Sequence, residues 1–183
     1  MVGEWGKMMK RMILTLVVLS ALICGGEEIS FNDPAMLSLN SGEKRDQTLT
    51  LSDSPAQNVS SLKLSWGERR HRFAELNWRG KQRIEPVQQA WAELTVFIPE
   101  TVRVGRIGLR FSDKTGEIFQ FYPTEGGLKR EAWSTLSYRI SEADVHDSWG
   151  GNADRKVDGT LRFRGIAVNF PSGSGSGEMW IGK

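Results

Sequence analysis

Apolar and polar side chains alternate in several stretches of this chain, and turn-forming residues separate the stretches. The apolar positions of the four clearest stretches are Leu62, Leu64 and Trp66; Ala74, Leu76 and Trp78; Ile107, Leu109 and Phe111; and Leu136, Tyr138 and Ile140. Successive side chains of a strand point to opposite faces, so each stretch predicts a strand with one buried and one solvated face. Shorter strands are expected near residues 29–31, 48–51 and 179–181. About nine or ten strands without a long helix predict an all-β fold, an antiparallel β-sandwich of the jelly-roll type.

Three further stretches refine this expectation. The sequence Ser-Asp-Lys-Thr-Gly at 112–116 separates two strands, and Gly116 can adopt the positive φ that such a loop needs, so a β-hairpin is predicted over 104–122. In 161–170 the alternation slips at Gly165, which predicts a β-bulge there. Residues 84–94 also have helical spacing, but the alternation over 91–98 favours a strand, preceded by one helical turn.

The amino-terminal segment has a different pattern. Lys7, Lys10 and Arg11 precede an uncharged apolar run at 13–23, and small residues follow it at 24–26. A helix of that length rises only about 16 Å, roughly half of a hydrocarbon core of about 30 Å, but it matches the core of a signal peptide. We therefore expect residues 1–26 to be a signal peptide, residues 27–183 to be one domain, and the protein to be secreted or periplasmic.

Cys24 leaves a second possibility, in which its acylation makes the protein a lipoprotein at the cell surface. Bulky Ile23 occupies the position where a lipoprotein signal carries a small residue, which favours simple secretion. Cys24 is the only cysteine, so no intrachain disulfide can form.

Residues 1–26 hold three of the 24 basic and one of the 22 acidic side chains, which leaves 21 of each and a formal charge of zero. This balance argues against a nucleic-acid partner and, without acylation, against a membrane partner.

Four segments follow one another in the second half of the chain. They are the hairpin at 106–122, a strand opened by Trp133, the loop at 148–154 that leads through Asp158-Gly159 into another strand, and the closing strand at 177–181. In this order, from residue 94 onward, the chain resembles the galactose-binding-like jelly-roll modules of carbohydrate-active enzymes. The resemblance implies a non-catalytic module that binds a polysaccharide or oligosaccharide, with a glycoside hydrolase as the catalytic domain of the same longer chain.

The resemblance also bears on cofactors. Modules of this kind commonly hold a structural calcium with paired acidic residues after the last strand, whereas here that strand runs into Gly182-Lys183. Asp33 is then the only early candidate ligand. We expect no cofactor other than such a calcium ion.

No set of catalytic residues is recognisable, and we predict no enzymatic activity. The histidines are His71 and His146, and no metal-binding spacing, nucleophile elbow or phosphate-binding loop occurs. Glu142 and Asp144 would lie about 7 Å apart on one face of a strand, which suits the carboxylate pair of a glycosidase. Their turn-like surroundings favour an ordinary solvated position instead.

Trp149 is the first candidate for sugar contact. It lies in a predicted loop with His146 and Asn152 nearby, and an indole ring can stack on the apolar face of a sugar. The alternative is that Trp149 anchors its loop to the core. We expect four other tryptophans in the core and leave Trp91 undecided; the four are Trp66, Trp78, Trp133 and Trp180.

The polar face of the predicted hairpin is the second candidate. It carries Arg106, Arg110, Gln120 and Tyr122, and the same outward parity is shared by Arg139, Arg162 and Arg164 on other strands. On neighbouring strands these side chains would form an arginine-rich face, whose forked donors suit hydroxyl, carboxylate or sulfate groups. The alternative is a solvated face with cross-strand ion pairs, on which replacing Arg110 costs little stability. For function, the alternative is a structural spacer without a ligand.

Overall fold

The computed structural model describes residues 21–24, 27–31, 33–40, 47–53, 60–68, 72–84 and 90–182. The strands in these ranges are β1 Ala21–Cys24, β2 Glu27–Ser30, β3 Leu37–Leu39, β4 Gln47–Asp53, β5 Ser60–Trp66, β6 Phe73–Trp78, β7 Arg83–Ile84, β8 Ala90–Ile98, β9 Ile107–Ser112, β10 Ile118–Phe121, β11 Ala132–Ile140, β12 Asp147–Trp149, β13 Leu161–Asn169 and β14 Gly177–Ile181. Two 3₁₀ helices, Pro34–Met36 and Glu142–Asp144, complete the elements. No helix in these ranges is long and apolar enough to cross a membrane.

The strands form two antiparallel sheets of seven strands each. In sheet A the order is β4-β5-β14-β8-β11, and the β1–β2 hairpin pairs with β8 beyond the end of β14. In sheet B the order is β3-β6-β13-β9-β10-β12, and β7 pairs with the beginning of β13. The chain changes sheet repeatedly, as between β5 and β6, β8 and β9, and β13 and β14. The predicted antiparallel β-sandwich of the jelly-roll type is therefore confirmed.

The core lies between the two sheets and consists of the predicted inward faces. The apolar positions of all four alternating stretches are buried. Leu64 and Leu94 of sheet A and Leu109 of sheet B have no exposed surface. The hydroxyl of Tyr138 in sheet A donates to the carbonyl oxygen of Ile107 in sheet B at 3.0 Å, and burial raises the pKa of this phenol.

The predicted hairpin and bulge are both present. Ser112 of β9 pairs with Ile118 of β10, so the connecting turn covers 113–117, one residue later than expected, and Gly116 has a φ of 86°. The register between β13 and β9 shifts between Phe163 and Gly165, and Gly165 has a φ of 140°. A Cβ atom at Gly165 would overlap the carbonyl oxygen of Leu76, so the bulge requires glycine.

Two of the tryptophans expected in the core are packed elsewhere. Trp133 and Trp180 contact Phe97 with ring centroids 6.0 and 5.9 Å apart, and all three lie on the outer face of sheet A. Trp180 is 3% exposed and therefore buried as predicted, whereas Trp133 is only half-buried. Neither ring lies between the sheets, because β8 turns Val96 inward and Phe97 outward. Trp91, on the same outer face, is 42% exposed.

Most of the predicted signal peptide, and the predicted helical turn before Trp91, lie outside the described residues. The last part of the predicted signal, Ala21–Cys24, is β1, which pairs with β2 and with Ala92 and Glu93 of β8. Cleavage after Gly26 stays a prediction. In a chain that begins at Glu27, these two positions of β8 lose the partner that β1 provides.

Candidate functional site

A connected set of polar side chains crosses the outer face of sheet B. Its members, called the polar network below, are Asn40, Glu75, Arg110, Gln120, Tyr122 and Asn169. Each lies on or next to a strand whose neighbouring residues point into the core. In β10, for example, Phe119 and Phe121 are fully buried, so that Gln120 points to the opposite face.

Arg110 is at the centre of the polar network. Its Nη1 atom lies 2.5 Å from Oε1 of Glu75, and its Nε atom donates to Oε1 of Gln120 at 2.9 Å. The second carboxylate oxygen of Glu75 accepts from the amide of Asn40. The side chains of Arg110 and Glu75 are only 16% and 17% exposed, so solvent screens this ion pair less than an ordinary surface pair.

Tyr122 completes the network at its other end. Its hydroxyl oxygen accepts from Nε2 of Gln120 at 2.9 Å and from Nδ2 of Asn169 at 2.7 Å. These hydrogen bonds join residues of β6, β9, β10 and β13 and the residues directly after β3 and β10. The network therefore spans most of the width of sheet B.

Aromatic contacts flank the polar network on both sides. Trp149 pairs with Ile118 at the edge of the sheet, its ring centroid lies 5.0 Å from the guanidinium carbon of Arg110, and the side chain is 38% exposed. The prediction of a loop position for Trp149 is wrong, because hydrogen bonds with β10 make it part of β12. At the other side, the guanidinium carbon of Arg106 lies 5.3 Å from the ring centroid of Tyr122. The ring of His146 packs edge-on against the same tyrosine, with ring centroids 4.6 Å apart.

The two candidate sites of the sequence are thus one surface. Trp149 and His146, from the first candidate, contact Arg110 and Tyr122, from the second. Asn152 lies apart from them, since it donates to Asp158 at 3.0 Å in its own loop.

The arginine-rich face that the outward parity suggested is not formed. Arg139 belongs to β11, which is in sheet A. Arg162 is in sheet B, but it donates to the carbonyl oxygen of Gly80 at 3.0 Å and takes no part in the polar network. Arg164 is exposed and falls at the bulge of β13. Parity gave the direction of these side chains correctly but could not assign their strands to sheets.

Glu142 and Asp144 have structural contacts instead of a catalytic arrangement. They lie in a 3₁₀ helix, where Glu142 accepts from the backbone N–H of Val157 at 2.9 Å. Arg139 donates two hydrogen bonds of 2.7 Å to the carboxylate of Asp144 and thereby lowers its pKa. A glycosidase acid needs a raised pKa, so Asp144 is unsuited to that role.

The turn between β9 and β10 is held by a carboxylate. Burial opposes the ionisation of Asp113, but its carboxylate accepts from the hydroxyl of Thr115 at 2.7 Å and from the backbone N–H groups of Thr115, Glu117 and Asp158, and these hydrogen bonds together lower its pKa. Within the described ranges, no three His, Cys, Asp or Glu residues are grouped so that they could hold a metal ion. Asp33 accepts from the N–H of Ala35 at the start of a 3₁₀ helix. His71 lies outside the described residues.

No protein-family model and no curated protein matches this chain. Among solved structures, it is similar to a chain from the work "Structural basis for the promiscuous specificity of the carbohydrate-binding modules from the beta-sandwich super family". The two are 13% identical with a TM-score of 0.48, over 80% of this chain and 54% of the other. This chain therefore spans about half the length of its structural neighbour, and the likeness concerns the fold alone.

Sequence reasoning missed three members of the polar network, namely Asn40, Glu75 and Asn169. The alternation in β6 gives Glu75 its outward direction, and the same is true of Asn169 in β13. The missing information was that β13 lies between β6 and β9, which depends on long-range pairing. With that order known, Glu75 is within reach of Arg110.

Proposed function

We propose that the protein binds a polysaccharide chain across the outer face of sheet B and does not cleave it. The observation that carries the proposal is the polar network next to the exposed ring of Trp149. Sugar hydroxyl groups donate and accept hydrogen bonds, and the network offers guanidinium donors, carboxylate acceptors and amides that do both. The apolar C–H face of a sugar ring can stack on the free surface of the Trp149 indole.

The mutual contacts of the network favour binding further. Glu75, Arg110, Gln120 and Tyr122 are each held by at least one neighbouring side chain, so little rotamer freedom is lost when a ligand binds. The charge of Glu75 is neutralised by Arg110, which makes the middle of this face compatible with a neutral sugar. We expect a dissociation constant of about 0.01–1 mM, because hydrated hydroxyl groups gain little net free energy on binding.

The positions of the carboxylates on this face support binding without hydrolysis. Glycosidases use two carboxyl groups about 5–10 Å apart. Asp147 of β12 and Glu75 of β6 are separated by four strand spacings, or about 19 Å. Both carboxylate oxygens of Glu75 also have side-chain partners already, one in Arg110 and the other in Asn40.

We also propose that the protein acts outside the cytoplasm, as the sugar-binding part of a longer glycoside hydrolase. The charged start at Lys7–Arg11 and the apolar run after it support export. Polysaccharides of walls and biomass lie outside the cell, so an exported protein meets them there.

Affinity electrophoresis on gels that contain neutral polysaccharides tests the binding proposal. The panel is hydroxyethylcellulose, xylan, β-glucan, galactan and mannan, and a reducing-sugar assay runs in parallel. We expect retention on at least one polymer without release of sugar. Trp149→Ala should abolish this retention. Trp91→Ala is the matched control, since Trp91 is equally exposed but lies on the outer face of sheet A.

Three results would contradict the proposal. Loss of retention in Trp91→Ala but not in Trp149→Ala would place the site on sheet A. Release of reducing sugar by the purified protein would identify an enzyme. Retention on none of these polymers, nor on any acidic one, would leave a structural spacer as the better account.

A further inference from the structure

A pocket of about 540 Å³ opens beside the polar network, on the far side of Tyr122. Its volume is in the range of about 300–1,000 Å³ that is usual for small-ligand pockets. Apolar side chains form much of its wall, among them Val104, Leu128 and Leu136. Tyr122 belongs both to this pocket and to the network, so the pocket continues the proposed sugar-binding face.

The charge of the pocket is one-sided. Arg106 supplies its positive charge, His146 adds an imidazole ring, and none of its ten lining residues is acidic. Arg106 is exposed, lies against the ring of Tyr122, and forms no ion pair with a carboxylate among the described residues. This distinguishes it from Arg110 and Arg139, which are paired with Glu75 and Asp144.

Tyr122 holds the cation in place at this position. Its hydroxyl group is fixed by Gln120 and Asn169, and its ring contacts both Arg106 and His146. A guanidinium on the face of a fixed ring is attracted to that position and still presents its N–H groups outward. A carboxylate is the anion whose two oxygens match this forked donor.

We propose that this pocket binds a uronic acid residue of the polysaccharide, with its carboxylate paired to Arg106 and its apolar ring face against the Val104–Leu128 wall. The proposal rests on the proposed function, because Tyr122 connects the pocket to the face on which the chain lies. It adds a preference: a polymer that carries carboxylate groups binds more tightly than the same polymer without them.

The experiment compares each acidic polymer with its own carboxyl-reduced form. Glucuronoxylan, polygalacturonate and alginate are titrated against the full chain by calorimetry, in native form and after carbodiimide activation and borohydride reduction. For at least one polymer the native form should bind about tenfold more tightly, as a charge-assisted pair predicts. The preference should shrink between low salt and about 0.5 M NaCl, because an exposed pair is screened.

Arg106→Gln assigns the preference to the pocket. It should remove the tenfold difference and leave the affinity for the reduced polymer unchanged within about twofold. Arg103→Gln is the matched control, since Arg103 is also exposed, is three residues away and does not line the pocket. Because both positions are exposed, both variants should fold, and superimposable thermal melts check this.

Each other outcome overturns the inference. Neutral and acidic forms that bind equally well would leave the proposed function standing and reject the uronic acid pocket. A preference that survives Arg106→Gln, or that Arg103→Gln also removes, would place the effect outside the pocket. A preference for dextran sulfate over every carboxylated polymer would identify a sulfate site instead. Binding to no polymer at all would reject both proposals.

Discussion

The ion pair between Arg110 and Glu75 should stabilise the fold, contrary to what the sequence predicts for an outward arginine. We consider Arg110→Met, which removes the charge but keeps an apolar stem against Trp149. The change leaves the carboxylate of Glu75 with one partner, Asn40, in a place that is mostly shielded from water. It also leaves the Oε1 atom of Gln120 without its donor.

The magnitude follows from the number and kind of bonds that are lost. A hydrogen bond to a charged group contributes about 1.5–3 kcal/mol, and the discount for partial exposure places the expected loss at about 2 kcal/mol. In a domain of this size such a loss lowers Tm by roughly 4–8 °C. Arg103→Met, at an exposed position that forms no ion pair within the described part of the chain, should change stability by less than about 0.5 kcal/mol.

A double-mutant cycle with Glu75→Gln tests the interaction itself. Urea unfolding followed by tryptophan fluorescence gives the four free energies of unfolding, and we expect a coupling energy of about 1–2 kcal/mol between the two positions. If Arg110→Met were as mild as Arg103→Met and the coupling were zero, the polar network would not exist in solution. The reasoning that makes it a preformed binding face would then fail.

Three further predictions concern the bulge, the stability at acid pH and the amino terminus. Gly165→Ala should lower the free energy of unfolding, measured in urea melts, by about 3 kcal/mol or more, because a φ of 140° and the nearby carbonyl oxygen of Leu76 both exclude a Cβ atom. Gly175→Ala is the control and should be nearly neutral, since a Cβ atom there would lie in open space. Asp144→Asn should destabilise the protein most at neutral pH. The folded pKa of Asp144 is lowered, so its contribution is complete above the ordinary value of 3.8 and is lost progressively as the pH falls from there through the lowered folded value; a loss that did not shrink between pH 7 and pH 2 would contradict this. Mass spectrometry of the exported protein should find a chain that begins at Glu27; an intact amino terminus in the cytosol would refute export, and an acylated Cys24 would identify a lipoprotein.

Side-chain alternation predicted the direction of residues well. It placed Leu109 in the core and Arg110 outside, because the period of two depends only on local strand geometry. It failed for side chains that are buried on the outer face of a sheet instead of between the two sheets. Phe97 and Trp180 point outward yet are almost completely buried, since large aromatic rings on adjacent strands cover one another. Local pattern contains no information about such neighbours.

The order of strands was the second limit. Trp149 lies between Ser148 and a glycine pair, so the sequence around it favours a loop. Its place in β12 depends on hydrogen bonds to Ile118, some thirty residues earlier. The same holds for Glu75, whose partner Arg110 is 35 residues away. Candidate residues were therefore predictable one by one, but their assembly into one site was not.

The bulge in β13 links side-chain direction to strand pairing, because it determines which residues lie between Arg110 and Glu75. Arg162 pairs with Ser112 and Phe163 with Phe111, so a regular register would next bring Arg164 opposite Arg110. Two like charges in directly opposed positions are destabilising. The shift instead sets Gly165 opposite Arg110 and Ala167 opposite Glu75. Since Gly165 and Ala167 carry no large side chain, the guanidinium reaches across β13 at these positions to the carboxylate. The irregularity that the sequence shows as a slipped alternation is thus the feature that allows the central ion pair of the candidate site to form.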